Sequence, residues 1–488
     1  MKTTAELKEF AQLAQASYAL LNDASTYGDN ELAIKKTKDL LQSSPNGGFA
    51  EKQAEDFTNR YSVLNQFRDA DTTANGGFSA TLFQDRNNPN RVVLSFCGTE
   101  FEGDKIRDLL ITDAQIGISG YAKPQAVALY RYVKRLQTGK GVAVSYSEEE
   151  MLRLYQLDRG GILTPRVPDI FRAELLGDRG ADGRQADGVA LMGAGKEIDL
   201  AGHSLGGHLA MLAQRLFPGT FDDVVTVNAV AFYAPPLAFP VSPNGLVSES
   251  ILSKFGQWDE TKILRMESVG DGVSELALKY PGNTLTVGME TRHGLSDPFG
   301  ANHSAANVAD GLALTEVFGK LDARYMTDPR TVKPLFDAAT MTPGTIYEAL
   351  LDALRKIILG SDLPLTGQDN PAAEQLSASR KSFYENLSNL AKDPKFIAQV
   401  NREGSIASLA NLSAADLQTA ANNADGIAYR YALNELNPFA VIGDNSLYTQ
   451  FNTNHELDLY DPATGRGLSN NWIEDRAQFV AAANTRCV

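Results

Sequence analysis

The stretch that most constrains this chain is Leu200 to His208, which reads Leu-Ala-Gly-His-Ser-Leu-Gly-Gly-His. Apolar residues before it predict the end of a buried strand, and apolar residues after it recur at helical spacing. Gly202 and Gly206 lack side chains, so the turn can be sharp and the helix can pass close to the sheet. A G-x-S-x-G turn in this context predicts a nucleophile elbow with Ser204 at its tip. The alternative is a plain corner between a strand and a helix.

Composition narrows the class of protein. The 488 residues are 43% hydrophobic and 22% charged, which is ordinary globular composition. The net charge of −15 argues against nucleic-acid binding, which needs a basic surface. No run of 18 apolar residues is present, so no transmembrane segment is predicted. Residues 1–21 predict an amphipathic helix without a signal-peptide core. We therefore expect secretion by a route without a classical N-terminal signal, or a cytoplasmic location.

The alternation of strands and helices predicts a mostly parallel central sheet. Together with the nucleophile elbow it indicates an α/β-hydrolase, with mainly helical N-terminal and C-terminal additions. Residues 1–74 are expected to be a helical segment packed on the hydrolase. Residues 75–325 would form the hydrolase domain, with an insertion or lid candidate at 139–195. Residues 326–488 are expected to form a mainly helical region of unknown role, and they contain no recognisable catalytic motif.

A catalytic triad on this fold follows the chain order serine, acid, histidine. Of the five histidines, His303 and His293 lie in the loop after the last predicted strand, where the base belongs, whereas His455 lies far beyond it. His303 is favoured. Asp271 lies in a Gly-Asp-Gly turn after a strand, and this position makes it the predicted acid, which would orient the base. The alternatives are an ordinary loop histidine and an ordinary turn aspartate.

The oxyanion hole is predicted to combine the backbone amide of Leu205 with a donor at Thr99, which follows an earlier strand. No metal site and no cofactor are expected. The polar tract at 178–188 raises a calcium alternative, but its acidic spacing misses the calcium-loop pattern, and a solvated loop is favoured.

Together these segments resemble the class 3 lipase family, and within it bacterial phospholipase A1-type extracellular lipases. The resemblance is carried by the Gly-His-Ser-Leu-Gly-Gly elbow at 202–207 and by Phe96-Cys97-Gly98-Thr99, with Cys97 where arginine is usual. Asp271-Gly272-Val273 and the segment that begins at His303-Ser304 are also similar to family motifs. The resemblance covers roughly residues 75–325.

This resemblance implies a serine hydrolase of lipid esters, either a phospholipase A1 or a triacylglycerol lipase, that meets its lipid or phospholipid substrate at an interface. The insertion at 139–195 and a predicted helix at 342–359 are candidate membrane-contact surfaces, with burial as the alternative for each. Two other functions stay open. One is a delivered antibacterial or host-directed lipase toxin whose C-terminal region binds a chaperone, immunity protein or secretion partner. The other is an acyltransferase or thioesterase that uses the same triad.

Overall fold

The computed structural model describes residues 2–44, 48–68, 77–98, 122–159, 166–230, 232, 250–273, 281–289, 301–338, 346–360, 363–366, 376–402 and 404–485. The chain divides into two units. We call Glu9–Thr286 with Asp297–Ala306 the sheet unit. Met1–Lys8, Val287–Ser296 and Asn307–Val488 form the helical unit. The domain boundaries expected from the sequence stay a prediction.

The central sheet has seven strands whose spatial order follows the chain. They are β1 (Tyr61–Arg68), β2 (Ser79–Asp85), β3 (Arg91–Phe96), β4 (Glu197–His203), β5 (Val224–Val227), β6 (Ile263–Ser268) and β7 (Asn283–Val287). The pairs β1–β2 and β2–β3 are antiparallel, whereas β3, β4, β5 and β6 run parallel. This mostly parallel sheet with a strand–turn–helix elbow is the predicted α/β-hydrolase fold.

The register of the parallel strands brings their carboxyl ends together. Phe96 at the end of β3 pairs with Gly202 near the end of β4, and Gly202 pairs in turn with Thr226 of β5. Loops that follow these ends therefore meet at one edge of the sheet, which is where α/β proteins place their functional groups.

Helices complete the sheet unit, and the first of them begins in the other unit. They are α1 (Thr4–Ala16), α2 (Glu31–Gln42), α3 (Glu51–Arg60), α4 (Lys123–Gln137), α5 (Glu148–Asp158), α6 (Asp169–Leu176) and α7 (Leu205–Leu216). Every residue of α7 is buried. The core of the unit joins Leu94 of β3 with Leu129 and Val133 of α4 and Leu212 of α7. The elbow helix is thus held on both sides by packed apolar side chains.

The helical unit is dominated by short and medium helices. They are α8 (Ala305–Leu321, whose first two residues belong to the sheet unit), α9 (Ala323–Thr327), α10 (Lys333–Ala338), α11 (Ile346–Leu359), α12 (Leu376–Lys392), α13 (Pro394–Ile397), α14 (Ala414–Asn422), α15 (Ile427–Glu435) and α16 (Asn470–Thr485). A small antiparallel pair joins β8 (Ile406–Ser408) to β9 (Phe439–Val441).

The structure corrects one sequence-based expectation and limits another. The helical interpretation of the N-terminal segment is wrong at residues 61–68, which form β1 because they pair with β2 along their length. The helix expected at 342–359 is present as α11, and its apolar side chains, including Leu350 and Leu354, are buried. That face is therefore not exposed for lipid contact. In the described residues no helix is long and apolar enough to span a membrane.

Candidate active site

Ser204 stands at the turn between β4 and α7 in a conformation that L-residues rarely adopt, with φ 57° and ψ −126°. Such backbone costs about 1–3 kcal/mol and persists only where the surroundings enforce it. The Ser204 amide donates to the Val227 carbonyl at 3.0 Å, and the Val230 amide donates to the Ser204 carbonyl at 3.2 Å. The last residue of β5 and the segment just after it thus hold the strained serine on both sides, as a nucleophile elbow requires.

The elbow glycines are required by space. A Cβ atom at Gly202 would overlap the carbonyl of Gly206, and a Cβ atom at Gly206 would overlap the carbonyl of Phe96. Both obstacles are backbone, which cannot rotate away as a side chain could. The close approach of α7 to β3 and β4 therefore depends on both predicted glycines.

Asp271 and His303 form a buried hydrogen-bonded pair. The distance between His303 Nδ1 and Asp271 Oδ1 is 2.8 Å, and Asp271 is fully buried while His303 is 5% exposed. Because a carboxylate accepts, Nδ1 carries the proton and Nε2 keeps its lone pair, which is the tautomer of a general base. Ser204 and His303 share no hydrogen bond in this structure. Such contacts often tighten only when substrate is bound.

Buried amide side chains hold the loops that carry this pair. Asn228, just after β5, donates from Nδ2 to Ser268 Oγ at 3.0 Å and to the Asn302 carbonyl at 3.2 Å, and its Oδ1 accepts from the Ser268 amide at 2.8 Å. Asn302 Nδ2 donates to the Gly270 carbonyl at 3.2 Å. These bonds tie the residue before His303 to the residue before Asp271.

His203 precedes the serine and points away from it. Its Nε2 donates to the backbone carbonyl of His303, and its Nδ1 accepts from the Tyr18 hydroxyl at 2.7 Å. Burial, together with the neighbouring His303, lowers the pKa of His203 from 6.5 to about 3. His203 is therefore neutral at every pH near neutrality.

The backbone amide of Leu205 is placed as an oxyanion donor would be. It opens α7, where the first amides have no acceptor within the helix, and it makes no hydrogen bond with any residue that the structure describes. Gly98 lies beside the elbow, since a Cβ atom there would be 3.2 Å from Ser204 Cβ. The second predicted donor, Thr99, and the alternative base, His293, lie outside the described residues.

The remaining histidines have other partners. The ring of His208 stacks on Phe232 with centroids 4.0 Å apart, and His455 bonds to Asp458. In the predicted polar tract, the Asp178 carboxylate accepts from Arg131 and from the Tyr146 hydroxyl. Across the described part of the chain, no group of three or more His, Cys, Asp and Glu side chains is placed to hold a metal ion.

Sequence reasoning did not identify Tyr18, Asn228 or Asn302. Each acts on the site through a partner from a distant segment, so no local motif marks it. The Ala-Asn-His order at 301–303 gives one weak signal, because a polar residue directly precedes the predicted base. A strained serine, a histidine that is hydrogen bonded to a buried carboxylate, and a helix-terminal amide are the kinds of group that acyl transfer uses.

Comparisons with known proteins add little to this geometry. No family model matches the chain, and no curated protein matches it. Among solved structures, a triacylglycerol lipase from Penicillium expansum is 14% identical, and the likeness covers 63% of this chain and 90% of that chain at a TM-score of 0.24. M37 lipase is also 14% identical, and the likeness covers 55% of this chain and 68% of that chain at a TM-score of 0.25. Likenesses this low carry no argument for function.

Proposed function

We propose that this protein is a serine hydrolase that cleaves carboxylic esters of lipids, with Ser204, Asp271 and His303 as its catalytic residues. The observation that carries the proposal is the buried Asp271–His303 hydrogen bond in the sheet unit that also contains the strained serine elbow. A strained serine and an oriented histidine are what acyl transfer requires and what a purely structural corner does not need.

In the first half of the reaction, Ser204 Oγ attacks the acyl carbonyl while His303 Nε2 takes the hydroxyl proton. Asp271 stabilises the imidazolium that forms, and the Leu205 amide donates to the oxyanion. The tetrahedral intermediate then collapses, the C–O bond to the leaving alcohol breaks, and His303 gives that alcohol its proton. The product of this half is an acyl-enzyme on Ser204.

In the second half, a water molecule attacks the acyl carbonyl and His303 takes one of its protons. Collapse of the second intermediate breaks the bond to Ser204 Oγ, which regains a proton from His303, and the fatty acid leaves. His303 supplies the acid–base chemistry of both halves, and neither half includes a redox step. An acyltransferase or thioesterase would share the first half and differ in the acceptor or in the leaving group.

The choice of lipids as the substrate class is supported by the sequence resemblance to class 3 lipases at the elbow, at Phe96–Thr99 and at the acid and base segments. We propose a phospholipase A1 or a triacylglycerol lipase. The two differ in the lipid whose ester bond they cleave.

The test is fatty-acid release by wild type and Ser204→Ala from two substrates, a phosphatidylcholine with different acyl chains at its two positions and a long-chain triglyceride. Release of the sn-1 chain that is lost in the variant supports a phospholipase A1, and triglyceride cleavage alone supports a lipase. Transfer of the acyl group to an added alcohol in place of free acid would favour an acyltransferase. Absence of release from either substrate would contradict a lipid hydrolase.

A further inference from the structure

His203 is a buried titratable residue that has no part in the reaction described above, although it is the residue directly before Ser204 in the chain. It is 7% exposed, and both of its ring nitrogens are hydrogen bonded. A backbone carbonyl can only accept, so the contact between His203 Nε2 and the His303 carbonyl, 2.5 Å long, fixes the proton on Nε2. Nδ1 must then accept from Tyr18. The donors run in one direction, from Tyr18 through His203 to His303.

This chain of hydrogen bonds connects the nucleophile to the base by a short path. His203 is the last residue of β4, and the carbonyl that it contacts belongs to the same residue as the catalytic imidazole. The Asp271 carboxylate orients the His303 ring from the other side through Nδ1. The His303 ring is therefore held by the acid, and the His303 backbone is held by the last residue of the strand that leads into Ser204.

The charge of His203 suits this position. The rings of His203 and His303 are 4.7 Å apart between centroids, and the groups that act on His203 are Tyr18, His303 and Asp271. A cation at His203 would oppose the imidazolium that forms on His303 during acyl transfer. Because the buried His203 ring stays neutral, it can brace the base without opposing its protonation.

Gly98 lies between Tyr18, His203 and Ser204, where only a residue without a side chain fits. A Cβ atom at Gly98 would overlap the Tyr18 hydroxyl and would lie 2.7 Å from the His203 carbonyl oxygen. The Tyr18 hydroxyl, the His203 carbonyl and Ser204 therefore lie around one glycine, and a residue with a side chain would collide with them.

We propose that Tyr18 and His203 are positioning residues, which form a hydrogen-bonded strut that holds the backbone of the base His303 at a fixed distance from Ser204. The strut rests on the proposed function, because it matters only if His303 is the base. A misplacement of about 1 Å can lower the rate of a catalysed step about 10²-fold, so loss of the strut should reduce kcat by that order.

The experiment compares three variants of the full chain on one ester substrate. His203→Met removes the donor at similar size and should lower kcat about 10²-fold with KM near that of wild type. His203→Gln retains an amide donor near the position of Nε2 and should recover kcat to within about tenfold of wild type. Tyr18→Phe removes only the hydroxyl and should lower kcat about tenfold.

A double variant separates the strut from independent packing effects. If Tyr18 acts through His203, adding Tyr18→Phe to His203→Met should change kcat no further. Tyr132→Phe is the matched control, since the Tyr132 hydroxyl is also buried and donates to Asn65 Oδ1 at 2.7 Å, and it should keep the kcat of wild type. Effects of Tyr18→Phe and His203→Met that multiply, or a wild-type kcat in His203→Met, would overturn the strut.

Two further measurements keep the proposal open to refutation. If His203→Met does not fold, ¹⁵N chemical shifts of His203 in wild type should still show a proton on Nε2 alone from about pH 5 to 8. A proton on Nδ1 would contradict the strut. Ser204→Ala is assayed alongside: if it retains wild-type activity, the proposed function fails and the strut fails with it. If only Ser204→Ala is inactive, the function stands and the strut is wrong.

Discussion

The carboxylate of Asp271 and the imidazole of His303 come from positions 32 residues apart in the chain, and their Oδ1 and Nδ1 atoms lie 2.8 Å apart. Both side chains are buried. A charge-assisted hydrogen bond in such surroundings is stronger than one in water and holds the ring in a single tautomer. The two residues should therefore act as a unit rather than as independent contributors.

Replacing the acid tests this unit directly. Asp271→Asn should lower kcat about 10⁴-fold, because an amide at this position can stabilise the wrong tautomer of His303. The measurement is steady-state ester hydrolysis with a matched control, Asp23→Asn, which removes an exposed carboxylate paired with Lys36 and should leave kcat unchanged. A loss of less than about tenfold in Asp271→Asn would remove it from the catalytic residues.

The elbow could be predicted from the sequence because everything that defines it is contiguous. Gly202, Ser204 and Gly206 lie within one short segment, and their roles follow from backbone geometry and space alone. The amphipathic helix α11 was predictable for the same reason, because its apolar spacing is local.

The strand β1 could not be predicted in this way. It follows α3 with no glycine or proline between them, and its residues do not alternate between buried and exposed. Its polar side chain Gln66 is buried and donates to Thr81 Oγ1 and to the Ala19 carbonyl. Pairing with β2 stabilises its extended conformation, and a local sequence pattern does not show such pairing. The roles of Tyr18 and Asn228 near the site could not be predicted either, because their hydrogen-bond partners lie far away in the sequence.

The glycine that lets α7 approach the sheet should not tolerate a side chain. Gly206→Ala places a methyl group against the Phe96 carbonyl, so the free energy of unfolding should fall by about 2–3 kcal/mol or more. Urea denaturation measures the change. The control is Gly193→Ala, whose new atom would have no neighbour closer than 3.6 Å, and it should change the unfolding free energy by less than about 1 kcal/mol. Equal losses of unfolding free energy in Gly206→Ala and Gly193→Ala would contradict the close approach of α7 to the sheet.

The neutral state of His203 has a consequence for stability against pH. Its pKa falls from 6.5 in the unfolded chain to about 3 in the folded one, so between these values the unfolded chain binds a proton that the folded chain does not. The free energy of unfolding should therefore fall as pH decreases through this range, at most by about 1.4 kcal/mol per unit from this residue.

Urea denaturation at several pH values between about 7 and 4 would measure this slope. His203→Gln lacks the titrating group and should show a shallower dependence on pH than wild type. Identical slopes in the two proteins would mean that His203 is not held neutral by folding.

The helical unit contains a buried ion pair, and removing one partner of this pair should strongly destabilise the unit. Arg380 donates to both carboxylate oxygens of Asp310 at 2.7 and 2.9 Å, and the Tyr384 hydroxyl donates to the same carboxylate. Arg380→Met leaves that buried carboxylate without its cation, which should cost about 3–5 kcal/mol. The half-exposed pair of Arg330 with Asp328 is the comparison, and Arg330→Met should cost less than about 1 kcal/mol. Similar losses from both variants would contradict the distinction.

The most direct test of the central claim is covalent labelling with a lipid-like fluorophosphonate, followed by intact mass and peptide mapping. The account predicts one adduct, located on Ser204, which is absent from Ser204→Ala and forms about 10³-fold more slowly in His303→Ala. Labelling of Ser204→Ala at the wild-type rate, or an adduct on another residue, would contradict the assignment of Ser204 as the nucleophile.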